Sequence, residues 1–111
     1  DYMLNRFANV VEGLVINKEN MLKNTSLFGG IVFSQRVLLE LTNKGLSREK
    51  AYTLVQKNAL EAFNKPQGDF KKNLLEDNEV CEVLSADEIE NCFDSSYYLR
   101  NIDEIYSRFG I

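Results

Sequence analysis

The sequence predicts an all-α protein of about five or six helices, on three observations. Apolar residues recur at Leu4, Phe7, Val11, Leu14 and Met21, the 3-4-3 spacing of a helical seam, interrupted only where Lys18 takes the next place. The stretch FSQRVLLELTNKGLSREKAYTLVQKNALEAFNK, residues 33–65, reads as two amphipathic helices joined by a short turn at Gly45. No segment alternates with period two for long enough to make a convincing strand. At 111 residues, with 44% hydrophobic and 27% charged residues, the chain has the length and composition of one ordinary globular domain.

Each element has a local signal. The first helix begins at residue 2 with Asp1 as its only capping candidate, as if its true start lay upstream, and it is expected to run to about Asn24. Met3, Val10 and Val15 widen its apolar stripe to a second face, which suits packing in a bundle. The pair Gly29–Gly30 interrupts helical propensity. Apolar residues return at Ile31, Val32, Val37, Leu38 and Leu41, in a helix that should stop at Lys44 with Gly45 supplying a left-handed C′ residue. Ser47 then caps a third helix whose expected buried face is Ala51, Leu54, Val55, Ala59, Ala62 and Phe63, and which Pro66 and Gly68 end. The last third breaks into short pieces. Ser85 and Glu88 form a capping box, and Asp94 is the cap of a closing segment with Tyr98, Ile102, Ile105 and Phe109 at helical spacing.

Charge is segregated along the chain. Residues 1–30 are neutral, residues 31–65 carry +3 and residues 66–111 carry −7, for a net −4. The helical hairpin, with Arg48, Lys50, Gln56 and Lys57 near the outer face of its second helix, therefore resembles a helix-turn-helix reader of DNA. The acidic third beside it argues against phosphate-driven binding. Cys81 and Cys92 are the only cysteines and His is absent, so four Cys/His zinc ligands cannot be assembled, and both thiols are expected to be reduced and mostly buried. No apolar run approaches the roughly 20 residues of a membrane span, and the chain opens on Asp1 with no signal pattern, as a piece of a longer protein would.

Candidates for chemistry are few. Asp87, Glu88 and Glu90 form an acidic group, but they sit in the first turn of a helix, where they complement its dipole. Ser34 has no His to activate it. Tyr97 and Tyr98 read as packing residues with a wet hydroxyl edge. The glycines of FGGIVFS lack the strand and the Lys-Ser/Thr ending of a phosphate loop.

Three separated stretches, DYMLNRF, FSQRVLLELTNKGLSREKAY and CFDSSYYLRNIDEIYSRFG, resemble in order and spacing the C-terminal part of a bacterial-type adenylosuccinate lyase, and the similarity runs over nearly the whole chain. The resemblance implies an enzyme of the fumarase/aspartase superfamily that eliminates fumarate from adenylosuccinate, and from the related carboxamide ribotide, in cytoplasmic purine synthesis. It implies a homotetramer with no cofactor or metal, whose sites lie where three subunits meet. The family's catalytic His and signature-loop Ser would both lie upstream of Asp1, so no catalytic, cofactor-binding or metal-binding residue carries over to any position here. Residues 1–24 would be the end of a long central-bundle helix, and residues 25–111 a small C-terminal helical domain of about four or five helices. Two alternatives are a stand-alone helix-turn-helix DNA-binding module and an acidic helical interaction domain.

Overall fold

A computed structural model describes residues 1–111. Nine α-helices and one 3-10 turn follow in order: α1 Tyr2–Glu12, α2 Lys18–Thr25, the 3-10 turn Ile31–Phe33, α3 Ser34–Asn43, α4 Arg48–Asn64, α5 Phe70–Glu76, α6 Asn78–Cys81, α7 Ala86–Cys92, α8 Ser96–Leu99 and α9 Ile102–Ser107. The all-α expectation holds. The helices outnumber the expected ones because the first expected helix divides into α1 and α2 and the closing segment into α8 and α9, with α6 a single turn of its own.

The hairpin α3–α4 is the centre of the fold. Its turn is closed by Leu46 N–H donating to Leu41 O (3.2 Å) and Gly45 N–H to Thr42 O (3.0 Å), the paired bonds of a Schellman ending. That ending needs the left-handed residue that Gly45 supplies at φ 101°. Ser47 accepts from Lys50 N–H and starts α4, and Lys65 leaves the helix in extended conformation ahead of Pro66. Against this hairpin pack α5, α6 and α7. The interior is one cluster of 12 buried residues, with Val37 and Leu41 from α3, Ala51, Leu54, Val55 and Ala62 from α4, and Phe70, Leu74, Val80, Leu84, Ile89 and Cys92 beyond them.

The inward stripe of α4 differs from expectation at two positions. Asn58 is buried, whereas Phe63 is 63% exposed and stacks on Phe28 at 6.1 Å between ring centroids. Ala51, Leu54, Asn58 and Ala62 follow one line of i, i+3 and i+4 steps, and Phe63 lies a further 100° around the helix. Asn58 is tolerated inside because its amide donates both to Leu54 O (2.9 Å) and to the carboxylate of Asp77 (2.8 Å).

Asp77 is the hub of the lower half. Its side chain is 6% exposed, caps α6 through Glu79 N–H, and accepts from Asn58 and from Lys57 Nζ (3.0 Å). Burial alone would push this carboxyl up. The hydrogen bonds from Asn58 and Lys57, with the Lys57 charge, outweigh burial and hold it below the ordinary carboxylate range. Because the folded value is depressed, the stabilisation is complete above the unfolded value of about 4 and disappears as pH falls through the folded value. Asp77→Ala should therefore lower unfolding free energy by about 2–3 kcal/mol at neutral pH. The gap between wild type and variant in urea melts should shrink steadily as pH is taken below about 4; a gap independent of pH would contradict the assignment.

The N-terminal segment is built differently. The expected single helix over residues 2–24 is instead two helices separated by a non-helical stretch over 13–17. Gly13 lowers helical propensity at the end of α1, Val15 and Ile16 are β-branched, and Asn17 offers a competing start by accepting from Asn20 N–H (3.0 Å). No residue from 1 to 28 is buried, and the seam residues Leu4, Phe7 and Leu14 are all more than 60% exposed. The radius of gyration is accordingly 19.0 Å, against about 13 Å for a compact domain of this length.

The segment joins the body through a backbone contact. Phe70 N–H donates to Gly29 O (2.8 Å). A Cβ on Gly29, which stands at φ 60°, would lie 2.0 Å from Gly68 O, and one on Gly68 would lie 1.8 Å from Ala62 O, so both glycines are required by close approach.

Candidate functional site

The hairpin's cations were the sequence's strongest hint of a ligand, and the fold places acidic partners against them. Lys50 pairs with Glu79 (3.7 Å) and Lys57 with Asp77 (3.0 Å), while Lys44 at the end of α3 pairs with Glu88 (2.5 Å). The acidic α6–α7 region thus lies against the basic hairpin. A recognition helix needs its cations free for phosphate, and two of those on α4 are already matched. The chain is accordingly expected not to bind duplex DNA specifically near physiological salt. A salt-sensitive, sequence-dependent mobility shift would restore the helix-turn-helix reading.

The acidic trio does not converge. Glu88 accepts from Ser85 N–H in the capping box and faces Lys44, and the Lys44 hydrogen bond, then that of Ser85, holds its carboxyl below the usual range. Glu90 turns to Lys71 on α5, and Asp87 lies exposed in the first turn of α7. Ser34 is the first residue of α3, with no imidazole in the chain to activate it. Asp94 accepts from the N–H and hydroxyl of Ser96, which lower its pKa, so it does support the start of α8.

The thiols separate. Cys92 is buried, and burial pushes its pKa up. Cys81 departs from expectation: it is exposed, with its thiol toward Leu75 O (3.3 Å), because α6 is a single turn on the surface.

Sequence reading missed how the two most distinctive stretches meet. The start of α3 and the 3-10 turn pack against the end of α7 and the start of α8. Phe33 lies 5.3 Å from Phe93 and 6.2 Å from Tyr98, ring to ring. The Tyr97 ring has the guanidinium of Arg36 at 3.7 Å and that of Arg100 at 3.8 Å. Arg100 stands three residues after Tyr97, a helical neighbour legible in the sequence, but Arg36 is brought in only by the fold. Beside this cluster a cleft of about 630 Å³ runs between residues 22–30 and the α4–α5 loop, with Phe28, Phe63, Lys71 and Ser95 on its walls.

No group of three or more Cys, Asp or Glu side chains is disposed to hold a metal ion, and no helix is long and apolar enough to cross a membrane. The fold and its surfaces define a small all-α domain on a helical hairpin, with an uncovered apolar helical segment projecting from it. Residues 30–109 match the family model described as adenylosuccinate lyase C-terminus. Over 97% of its length the chain is 48% identical to the adenylosuccinate lyases of Helicobacter pylori (strain ATCC 700392 / 26695) and Thermotoga maritima, and over its full length it is 43% identical to that of Bacillus subtilis (strain 168). These matches span 27%, 25% and 26% of the relatives, so the chain corresponds to about a quarter of their length. The chain belongs to the adenylosuccinate lyase C-terminal family.

Proposed function

We propose that the chain is the C-terminal part of an adenylosuccinate lyase, a cytoplasmic enzyme of purine synthesis that breaks a C–N bond in adenylosuccinate, and in the related carboxamide ribotide, to release fumarate. The observation that carries this reading is 40–48% identity to adenylosuccinate lyases over essentially the whole chain. Elimination needs a group that removes a proton next to a carboxylate and one that protonates the departing nitrogen. The chain has no His, and Asp77, Glu79, Glu88 and Glu90 are each engaged in a helix cap or an ion pair. On this reading both groups come from elsewhere in the polypeptide. Residues 1–24 pack into the central bundle of a homotetramer, and residues 25–111 form the helical domain attached to it.

Two measurements test this. The purified chain should release no fumarate from adenylosuccinate. Grafted in place of the corresponding quarter of the Bacillus subtilis enzyme, it should restore fumarate release to within about tenfold of the parent, a barrier change of about 1.4 kcal/mol. A folded, assembled but inactive chimaera would overturn the assignment, as would fumarate release by the chain alone.

A further inference from the structure

Every hydrogen bond and ion pair made by residues 95–111 stays within residues 94–111. The backbone bonds run from Tyr98 to Ser95, from Ile105 to Asn101 and onward to the C-terminus. The side-chain bonds are those of Ser96 with Asp94, Arg100 with Tyr97 O, and Ser107 and Arg108 with Glu104. Neither α8 nor α9 contributes a buried residue. These residues are therefore a self-contained arm, and its ring contacts with the body converge on the start of α3. They are the Phe33–Tyr98 contact and the seat of the Tyr97 ring against Arg36.

The two guanidinium groups lie 3.7 and 3.8 Å from one ring centroid, so sterics put them on opposite faces of Tyr97. Their roles differ. Arg100 belongs to the arm and presses on the ring from within it. Arg36 belongs to α3, where Glu40 holds its guanidinium from one side (3.2 Å), and it makes the cross-element contact. The Nε of Arg36 is the one buried side-chain nitrogen or oxygen in the chain without a hydrogen-bond partner. The docked state thus carries a cation whose hydrogen bonding is incomplete. The arm's Tyr98 and Leu99 line an apolar groove of about 740 Å³ together with Met21, Leu22 and Val32.

We propose that the Arg36–Tyr97–Arg100 sandwich is a latch: residues 95–111 dock on α3 through the Tyr97 ring and undock as a unit, opening the groove between α2 and α8. Attraction between a cation and a ring face follows the electron density of the ring, not its hydroxyl, which fixes the test. Amide hydrogen exchange would be measured on the 111-residue chain, comparing arm peptides with those of α3, α4 and α7. Tyr97→Phe should leave arm exchange unchanged. Successively fluorinated phenylalanines at position 97 should raise it stepwise, and Tyr97→Leu should raise it by about tenfold, with α3, α4 and α7 unaffected. Arg36→Gln should match Tyr97→Leu, and the double variant should add nothing further, since both remove the same contact. Exchange indifferent to fluorination, faster exchange spread evenly through α3, α4 and α7, or additive effects in the double variant would each overturn the latch.

Discussion

Replacing Phe70 by Ala is expected to cost about 3–5 kcal/mol, a large share of the stability of a domain this size, which lies at about 5–15 kcal/mol. Phe70 is fully buried, opens α5 against the hairpin and packs on Phe93 at 5.9 Å. Its backbone N–H also holds Gly29 O, so the position joins the core to the root of the N-terminal segment. Phe63→Ala is the matched control, because that ring is largely exposed and its loss should cost under about 1 kcal/mol. Urea unfolding followed by circular dichroism separates the two. A midpoint shift larger for Phe63 than for Phe70 would contradict the core as placed.

The second large effect concerns association. The accessible surface of the chain is 8895 Å², whereas a compact protein of this mass exposes about 6,300 Å². The excess, about 2,600 Å² on one chain, is more than the roughly 800 Å² that each partner contributes to a standard protein–protein interface. Much of it lies on residues 1–28, where Leu4, Phe7, Val11, Leu14 and Met21 stand uncovered. The chain should therefore self-associate at micromolar concentration through this stripe. Leu4→Gln, Val11→Gln and Leu14→Gln combined should leave a monomer in sedimentation. The urea midpoint of the body should stay in place, since no residue of its core comes from before Gly29. A wild-type monomer at high concentration would defeat the interface reading. Collapse of the whole fold in the triple variant would make the N-terminal segment an integral part of one compact unit.

What could be read from sequence was local. The ending at Gly45, the caps at Ser47 and Ser85, and the stop at Pro66 each depend on a few adjacent residues whose backbone preferences decide the outcome. What could not be read depended on partners distant in sequence. The heptad spacing runs past residues 13–17, so it concealed a break whose cause is the local competition of Gly13, Val15, Ile16 and Asn17. Asn58 is accommodated in the interior because Asp77, 19 residues on, supplies an acceptor. The seating of Tyr97 against Arg36 joins positions 61 apart, and no periodicity encodes it.

The hub at Asp77 has a consequence for how this sequence can drift. The ion pair Lys50–Glu79 has both side chains substantially exposed, so either residue can change alone at little cost. Position 77 is different, because one carboxylate there serves a helix start, a buried amide and a lysine together. A lineage that loses Asp77 is expected to keep a short capping side chain in its place and to trade Asn58 for an apolar residue in the same step. Across many descendants, positions 58 and 77 should therefore change together, while 50 and 79 wander independently.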